Sequence, residues 1–235
     1  MMPDRRDGVA LVAALLIAAL CVWAGVWQLD RLHQRRARND LVLARRARPP
    51  LDVRGGPLLT ADSARDRRLR ARGRYDYAHE RFWRPRSYEG VPGVALVTPL
   101  RLADSAAVLV DRGWVPSPDA YHVDQDAYRE ADSADVVGLG MKAPRGRGDV
   151  DPAALADSLP YPLLPFVLQE LPTTRPPPSG MIRWPIPEIS DGPHLSYAIQ
   201  WFSFAAIIVV GSLVLVRKRA SGRPKPPHLA VSGYH

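Results

Sequence analysis

Hydrophobic residues are concentrated in two uncharged runs, one towards each end of the 235-residue chain. The first run is the 19 residues Val9 to Trp27, and the second is the 22 residues Leu195 to Val216. A helix rises about 1.5 Å per residue and the bilayer core is about 30 Å thick, so either run can cross a membrane. No small-residue cleavage site follows the first run, which favours a retained anchor over a signal peptide. The pattern predicts transmembrane helices over 9–27 and 194–216.

Residues 28–193 lie between the spans and form one predicted domain. Residues 28–47 contain no Pro or Gly, so the first helix should continue beyond the membrane until Pro49-Pro50 stops it. Gly55-Gly56-Pro57 predicts a turn, and Pro172 to Gly180 an irregular segment. Short helices are expected over Ala61–Arg67 and Pro152–Leu159. Alternating or continuous apolar runs predict strands over Arg68–Tyr75, Phe82–Arg86 (ended by Pro85), Val94–Leu100, Ala107–Val115, Val136–Met141 and Phe166–Leu171. The expected fold class is an α+β membrane protein in which two transmembrane helices flank a β-rich domain with a helical start.

The basic residues give conflicting indications of membrane orientation. Arg217, Lys218 and Arg219 favour a cytoplasmic carboxyl end, whereas the arginines of residues 31–46 would hold the central domain in the cytoplasm. Two spans place both termini on one side, and long loops are translocated largely regardless of their charge. The charge pattern is therefore compatible with an outward-facing domain, a cytoplasmic segment over 1–8 and a basic, disordered cytoplasmic tail over 217–235.

Composition narrows the possible chemistry. Residues 28–101 carry 18 Arg and 8 acidic residues, a net of +10, whereas residues 102–193 carry 7 basic and 14 acidic residues, a net of −7. The net charge of +8 raises the question of nucleic acid, but no zinc finger or aromatic RNA-binding signature is present, so nucleic acid is not an expected partner. Cys21 is the single cysteine and lies in the first span as a small apolar residue, so the domain has neither disulfides nor thiolate metal sites.

The entry to the second span carries the main candidate site. At about 100° per residue, His194, Tyr197 and Trp201 share one helical face. His194 could cap its helix or bind lipid headgroups, or it could be an axial ligand of haem iron with aromatic walls beside it. The residues alone leave both alternatives open.

Arg112, in the segment Asp111-Arg112-Gly113-Trp114, has a functional and a structural interpretation. Its guanidinium could bind a carboxylate of a ligand or partner. Alternatively, an Asp111/Arg112 pair closes a strand end, with Gly113 as a bulge and Trp114 in the core. The same two interpretations apply to Arg84 and Arg86, and to Arg31. Asp124 and Asp126, near Glu130 and Asp132, are expected to form a solvated acidic loop rather than a pair of catalytic carboxylates. With no catalytic signature present, the chain is not expected to be an enzyme.

Several of these blocks together resemble the surfeit locus protein 1 family, the assembly factors of haem-copper cytochrome c oxidase. The blocks are Gly25 to Arg31, Gly73-Arg74-Tyr75, Arg86, Gly93-Val94, Thr98-Pro99-Leu100, Val108 to Pro116, and His194 to Phe202. The combination of Arg-Gly-Trp-Val-Pro with His-x-x-Tyr-x-x-x-Trp is the specific part. Asp111 stands where the family commonly has Asn, and residues 117–180 show little similarity.

The resemblance implies a multi-pass protein of the cell membrane, with its main domain outside the cytoplasm, that acts as a chaperone in building the respiratory chain. It implies help with haem a insertion or retention in oxidase subunit I, with other oxidase assembly factors and the lipid bilayer as partners. His194 would face haem a and is a possible ligand of its iron. Tyr197 and Trp201 would form the pocket wall, Gln28 and Arg31 the opposing helix end, and Arg112 with Trp114 the anchor of the domain. The alternatives are a scaffold that binds oxidase subunits without touching haem and, less favoured, an envelope enzyme.

Overall fold

The computed structural model describes residues 5–53, 59–103, 105–144, 146, 149–172 and 175–221. Its elements, in chain order, are α1 (Arg5–Ala47), β1 (Leu51–Asp52), α2 (Ala61–Ala64), β2 (Arg68–Tyr75), β3 (Arg81–Tyr88), β4 (Val91–Leu102), β5 (Ala107–Pro116), β6 (Ser133–Lys142), α3 (Pro152–Leu155), β7 (Leu163–Glu170) and α4 (His194–Ser221). The turn predicted at Gly55-Gly56-Pro57 and the tail beyond Ser221 lie outside the described residues. The chain divides into a helical unit, Met1–Asn39 with Ser190–His235, and a β-rich unit, Asp40–Ile189.

The two helices of the helical unit expose most of their apolar side chains. Their most apolar windows have mean hydropathies of 2.7 and 2.3, yet only 17% and 6% of the residues in those windows are buried. A soluble protein buries such surface, whereas a bilayer solvates it. Together with the β-rich unit between them, the helices define an α+β membrane protein.

Mostly small residues form the buried stripe of each helix. On α1 the buried positions are Ala18, Cys21, Gly25 and Leu32, and on α4 they are Ala198 and Ala205. Their spacing of three, four or seven residues, or a sum of these, keeps each set on one face. A Cβ added to Gly25 would lie 2.7 Å from the Phe202 ring, so the helices approach closely there. Small residues permit this approach, which is how helices associate in lipid, where no hydrophobic effect drives them together.

The β-rich unit is a sheet that closes on itself. Strand β2 pairs with β6 on one side and with β4 on the other, so β2, β6, β7, β5 and β4 form a ring. The β5–β7 pairing is parallel, and the other pairings within the ring are antiparallel. Closure pairs both sides of every strand in the ring, and β1 and β3 extend the sheet beyond it.

Alternate residues of these five strands fill the barrel. Val108 and Val110 of β5 and Phe166 and Leu168 of β7 belong to one buried cluster, together with Leu69, Ala71, Tyr75, Leu100, Leu102, Val136 and Leu164. Because side chains alternate along a strand, the next inward positions after Val110 and Leu168 are Arg112 and Glu170. Both are fully buried. The apolar barrel interior therefore ends in a layer of charged side chains.

Most predicted elements are present, with informative differences at their ends. The β4–β5 hairpin is confirmed, and α1 continues to Ala47 as predicted. The predicted end of β3 at Pro85 is wrong: the strand continues to Tyr88 through a register shift between Trp83 and Arg86. A strand at the margin of the sheet tolerates Pro at such an irregularity because the missing N–H is not needed there. The two short helices, α2 and α3, are shorter than predicted, and α4 continues five residues beyond Val216.

Candidate functional site

His194 and Gln28 form the polar contact of the helical unit that bears most directly on function. His194 begins α4 after the turn at Gly192, and Gln28 directly follows the apolar run of α1. The His194 Nδ1 lies 2.9 Å from the Gln28 Oε1. An amide oxygen can only accept a hydrogen bond, so Nδ1 is the donor in this contact. In the imidazole tautomer that carries its proton on Nδ1, the lone pair lies on Nε2.

A second polar contact fixes the segment that leads into α4. Arg36 Nε lies 2.9 Å from one carboxylate oxygen of Asp191, and Asn39 Nδ2 lies 3.0 Å from the other. Arg36 is eight residues after Gln28, or about 12 Å along α1. His194 is thus held from both sides, by Gln28 at its ring and by the Asp191 contacts just before it.

The remaining residues predicted for this site lie nearby but are not all brought together. Tyr197 is 47% exposed. Trp201 is half-buried, with its ring perpendicular to that of Phe204 at a centroid distance of 6.0 Å. Arg31 donates to Gln34 Oε1 at 3.1 Å and lies 5.9 Å from the Trp27 ring, both in its own helix. The described contacts therefore join His194 to Gln28 and leave Arg31 on the surface of α1.

Arg112 lies in the charged layer of the barrel and is held by four acceptors. Its guanidinium donates to Glu80 at 2.5 Å, Glu130 at 3.1 Å and Thr98 at 2.8 Å, and to the Tyr128 carbonyl at 2.7 Å. The side chain is fully buried. An arginine bound on all sides and closed to solvent anchors the fold, so the geometry supports the structural interpretation of Arg112.

The charged layer extends beyond Arg112 to a neutral cluster of three arginines and three glutamates. Arg183 bonds Glu130 at 2.6 Å, Glu170 at 2.8 Å and the Arg112 carbonyl at 2.5 Å. Arg175 bonds Glu170 at 3.3 Å and Glu130 at 3.1 Å. Burial raises the pKa of Glu170, against the opposing effect of Arg183 and Arg175. We call these six side chains, Glu80, Arg112, Glu130, Glu170, Arg175 and Arg183, the buried charge cluster.

Two sequence-based expectations about this region are wrong. Asp111 does not pair with Arg112, since neighbouring residues of a strand point to opposite faces. Glu130 is not part of a solvated loop, because its side chain is only 7% exposed and binds three arginines. The neighbouring Asp124, Asp126 and Asp132 are exposed, as expected.

Four members of the cluster were missed by sequence reasoning. Glu170 could have been found, because it continues the inward alternation of Phe166 and Leu168. Glu80, Arg175 and Arg183 lie outside the strands, where no periodicity marks a buried position.

The bulge expected at Gly113 is confirmed. Leu96 pairs with Gly113 and Val97 with Asp111, which leaves Arg112 as the extra residue. Gly113 has a φ of +142°, and a Cβ there would lie 2.6 Å from the Ile182 carbonyl oxygen. Trp114, 4% exposed, packs in the core as predicted and exchanges backbone hydrogen bonds with Ile182 at 2.7 and 2.8 Å.

Asp111 is a buried carboxyl on the opposite face of β5. It is 1% exposed, and its Oδ1 accepts a hydrogen bond from the Gly113 N–H at 3.2 Å. Burial raises the pKa of Asp111 to about 7, against the opposing effects of Arg86 and the Gly113 N–H. Arg86 itself stacks on the Trp83 ring at 3.7 Å, whereas Arg84 binds Asp149 at 2.9 Å. Both arginines therefore have structural contacts.

Two apolar helices that precede and follow a β-barrel in the sequence, with a histidine at the start of the second helix, define a class of protein: a two-span membrane protein with one domain between its spans in the chain. The sequence model of the SURF1 family matches residues 15–206, from within α1 to within α4. The chain belongs to the SURF1 family, which confirms the resemblance to the surfeit locus protein 1 proteins. No curated protein matches the sequence significantly.

Replacing Arg112 with Met should strongly destabilise the barrel. The substitution leaves Glu80 and Glu130 buried with fewer partners, and breaking a buried ion pair from one side costs about 3–5 kcal/mol. Unfolding of the full-length protein in detergent, followed by tryptophan fluorescence, measures the loss. The matched control is Arg72→Met, since Arg72 pairs with Asp135 at 3.0 Å but is 55% exposed. That variant should lose less than about 1 kcal/mol. Equal losses in the two variants would contradict the assignment of Arg112 as an anchor.

Replacing Asp111 with Asn should alter how stability depends on pH. The folded pKa of about 7 lies above the reference value of 3.8, so the folded state binds the extra proton between those values. The Asp111 contribution is therefore complete below about pH 4 and falls by up to about 4 kcal/mol as pH rises through 7. The Asn variant lacks this decline, and the difference between variant and parent should grow with pH up to about 7.

Urea unfolding from pH 4 to 8 measures this difference, with Asp135→Asn as the control. Hydrogen bonding from Arg70 holds the pKa of Asp135 at about 2, so its contribution changes only in more acidic solution. Parallel pH profiles for the parent and Asp111→Asn would show that Asp111 is ionised at neutral pH.

Proposed function

We propose that this protein helps to mature haem-copper cytochrome c oxidase by holding haem a beside His194 for insertion into, or retention in, subunit I. Members of the SURF1 family are oxidase assembly factors, and this membership is the reason for proposing cytochrome oxidase as the enzyme that is matured. The hydrogen bond between His194 and Gln28 is the observation that supports a contact with haem.

The His194 side chain fits the requirements of an iron ligand. Histidine ligands in proteins typically donate their second ring N–H to a fixed acceptor, which sets the tautomer and the ring orientation. The Gln28 Oε1 has that position relative to His194 Nδ1, and the ring is only partly buried. Haem a is cargo in this proposal, and His194 Nε2 supplies the nitrogen that would hold its iron.

The surroundings of His194 suit a flat, largely apolar molecule with acidic groups. Tyr197 and Trp201 lie on the same face of α4 and offer aromatic surface. Arg31 lies on the surface of α1, one turn beyond Gln28 and close to the level where apolar and polar residues meet, so it could bind a propionate. In this arrangement Gln28 is a positioning residue, because it acts through the His194 ring.

Membrane orientation is part of the same proposal. We place the β-barrel outside the cytoplasm of the cell membrane and both termini inside. The basic residues after Val216 favour a cytoplasmic carboxyl end, and the arginines after the first span can be translocated as part of a long segment. Subunit I and other assembly factors are the proposed partners.

The proposal predicts a haem a absorption band in the full-length protein purified in detergent from cells that make haem a. His194→Ala should remove the band because the ligand nitrogen is gone. Gln28→Leu should weaken haem affinity by about 10–100-fold, the usual effect of losing the partner of a ligating histidine. Absorption spectra normalised to protein, together with thermal unfolding, separate loss of haem from loss of fold.

His33→Ala is the matched control, because His33 is an exposed histidine of the same helical unit. Its band should equal that of the parent. A band that survives in His194→Ala would contradict the ligand assignment. Absence of a band in the parent, with subunit I still copurifying, would favour a scaffold that does not touch haem.

A further inference from the structure

A pocket in the β-rich unit has the composition of an anion site. It has a volume of about 450 Å³ and is lined by Arg45, Arg48, Leu51, Leu59, Ser63 and Arg67. We propose that this pocket, the arginine pocket, binds the phosphate group of a small amphiphilic molecule. The proposal does not depend on haem binding, because all six residues belong to the β-rich unit and His194 belongs to the helical unit.

The three arginines of the pocket are not neutralised by carboxylates lining it. Among the described lining residues none is acidic. The acidic residue next to Arg67 in sequence is Asp66, which is already bound by Arg46 at 3.1 Å and Arg65 at 3.6 Å. Residues 54–58 read Arg-Gly-Gly-Pro-Leu and contain no acid either. Three positive charges around one pocket repel one another, so an anion placed between them would be stabilised by all three.

One of the arginines that line the pocket also has an unused hydrogen-bond donor. The Arg45 guanidinium donates to the backbone carbonyls of Asp62 and Arg65, at 3.5 and 3.4 Å, and these bonds hold its side chain at one side of the pocket. Arg67 Nε is buried and has no acceptor in the described structure. Buried donors are rarely left unpaired in native proteins, and those that are call for an explanation, which a bound oxygen acceptor would provide.

Phosphate is the ligand chemistry that suits these side chains. The planar guanidinium fork matches the spacing of two phosphate oxygens, and three such groups can serve a doubly charged anion. Leu51 and Leu59 add apolar surface beside the charges, which suits an ester carrying a carbon chain. The pocket volume lies within the range of about 300–1,000 Å³ that is usual for small-molecule sites. A phospholipid headgroup and a soluble phosphate ester share this chemistry.

Isothermal titration calorimetry on the full-length protein tests the proposal, in an uncharged detergent and chloride buffer. The probes are inorganic phosphate and a short-chain phosphatidylglycerol. We expect the parent to bind at least one of them and Arg48→Gln or Arg67→Gln to weaken that binding at least about tenfold, the usual effect of losing a charge-assisted hydrogen bond. Tighter binding of the lipid identifies a headgroup site, whereas equal binding of both probes identifies a free phosphate site.

The matched control is Arg65→Gln. Arg65 lies near the pocket in sequence, but it is 58% exposed and does not line it. Its removal changes the net charge equally and should leave affinity unchanged. Phosphate should also raise the midpoint of thermal unfolding of the parent but not of Arg67→Gln, which tests the site even where calorimetric heats are small.

Two results would overturn the proposal. The first is that neither probe binds the parent; binding of a glutamate-rich peptide in that case would identify the pocket as a contact for an acidic protein partner. The second is an equal loss of affinity in Arg65→Gln, which would show a non-specific effect of charge.

Discussion

Neutrality of the buried charge cluster is the constraint on which the barrel depends. Each ionised group taken out of water loses several kcal/mol of hydration, and only close opposite charges with complete hydrogen bonding offset that loss. The cluster balances three arginines against three glutamates through contacts of 2.5 to 3.3 Å, and the Arg183 Nε is a buried donor without an acceptor in the described structure. It also joins strands β5 and β7 to the segments that contain Glu80, Glu130, Arg175 and Arg183. The charged layer thus holds these segments to the barrel strands.

The bulge in β5 makes this arrangement possible. Arg112 points inward like Val108 and Val110 but is the extra residue between two paired positions, and Gly113 after it has a φ of +142°. Beyond the bulge, Val115 packs with Val94, Leu96 and Met181 in a second apolar cluster. Charged side chains therefore lie between two apolar layers, which excludes water and strengthens their mutual attraction. The same exclusion makes loss of any one partner costly.

Sequence patterns predicted the elements formed by residues close together in the chain. They did not predict the contacts between residues that are far apart in sequence. Two apolar runs and the β4–β5 hairpin could be identified because their periodicity lies within a few residues. The partner of Arg112 could not, since Glu80 and Glu130 are 32 and 18 residues away and outside any strand. Closure of the sheet through β2 and β4 likewise depends on a register that no local signal encodes. The helix face carrying His194 followed from the sequence, but its partner Gln28 is 166 residues away, and only the resemblance to a family suggested that the two helix ends meet.

Arginine has opposite roles in two parts of this molecule, and its acceptors distinguish them. Arg112 is wholly buried and its guanidinium is bound by four protein groups, so it has little capacity left for a ligand. Arg48 and Arg67 line an open pocket, and Arg67 retains a buried donor without an acceptor. The sequence left a ligand-binding and a structural interpretation open for Arg112, and it gave no reason to single out Arg67. The number of acceptors around each guanidinium decides between these roles: an arginine with all its donors bound by the protein stabilises the fold, whereas an arginine with a free donor beside a cavity is placed to bind an anion.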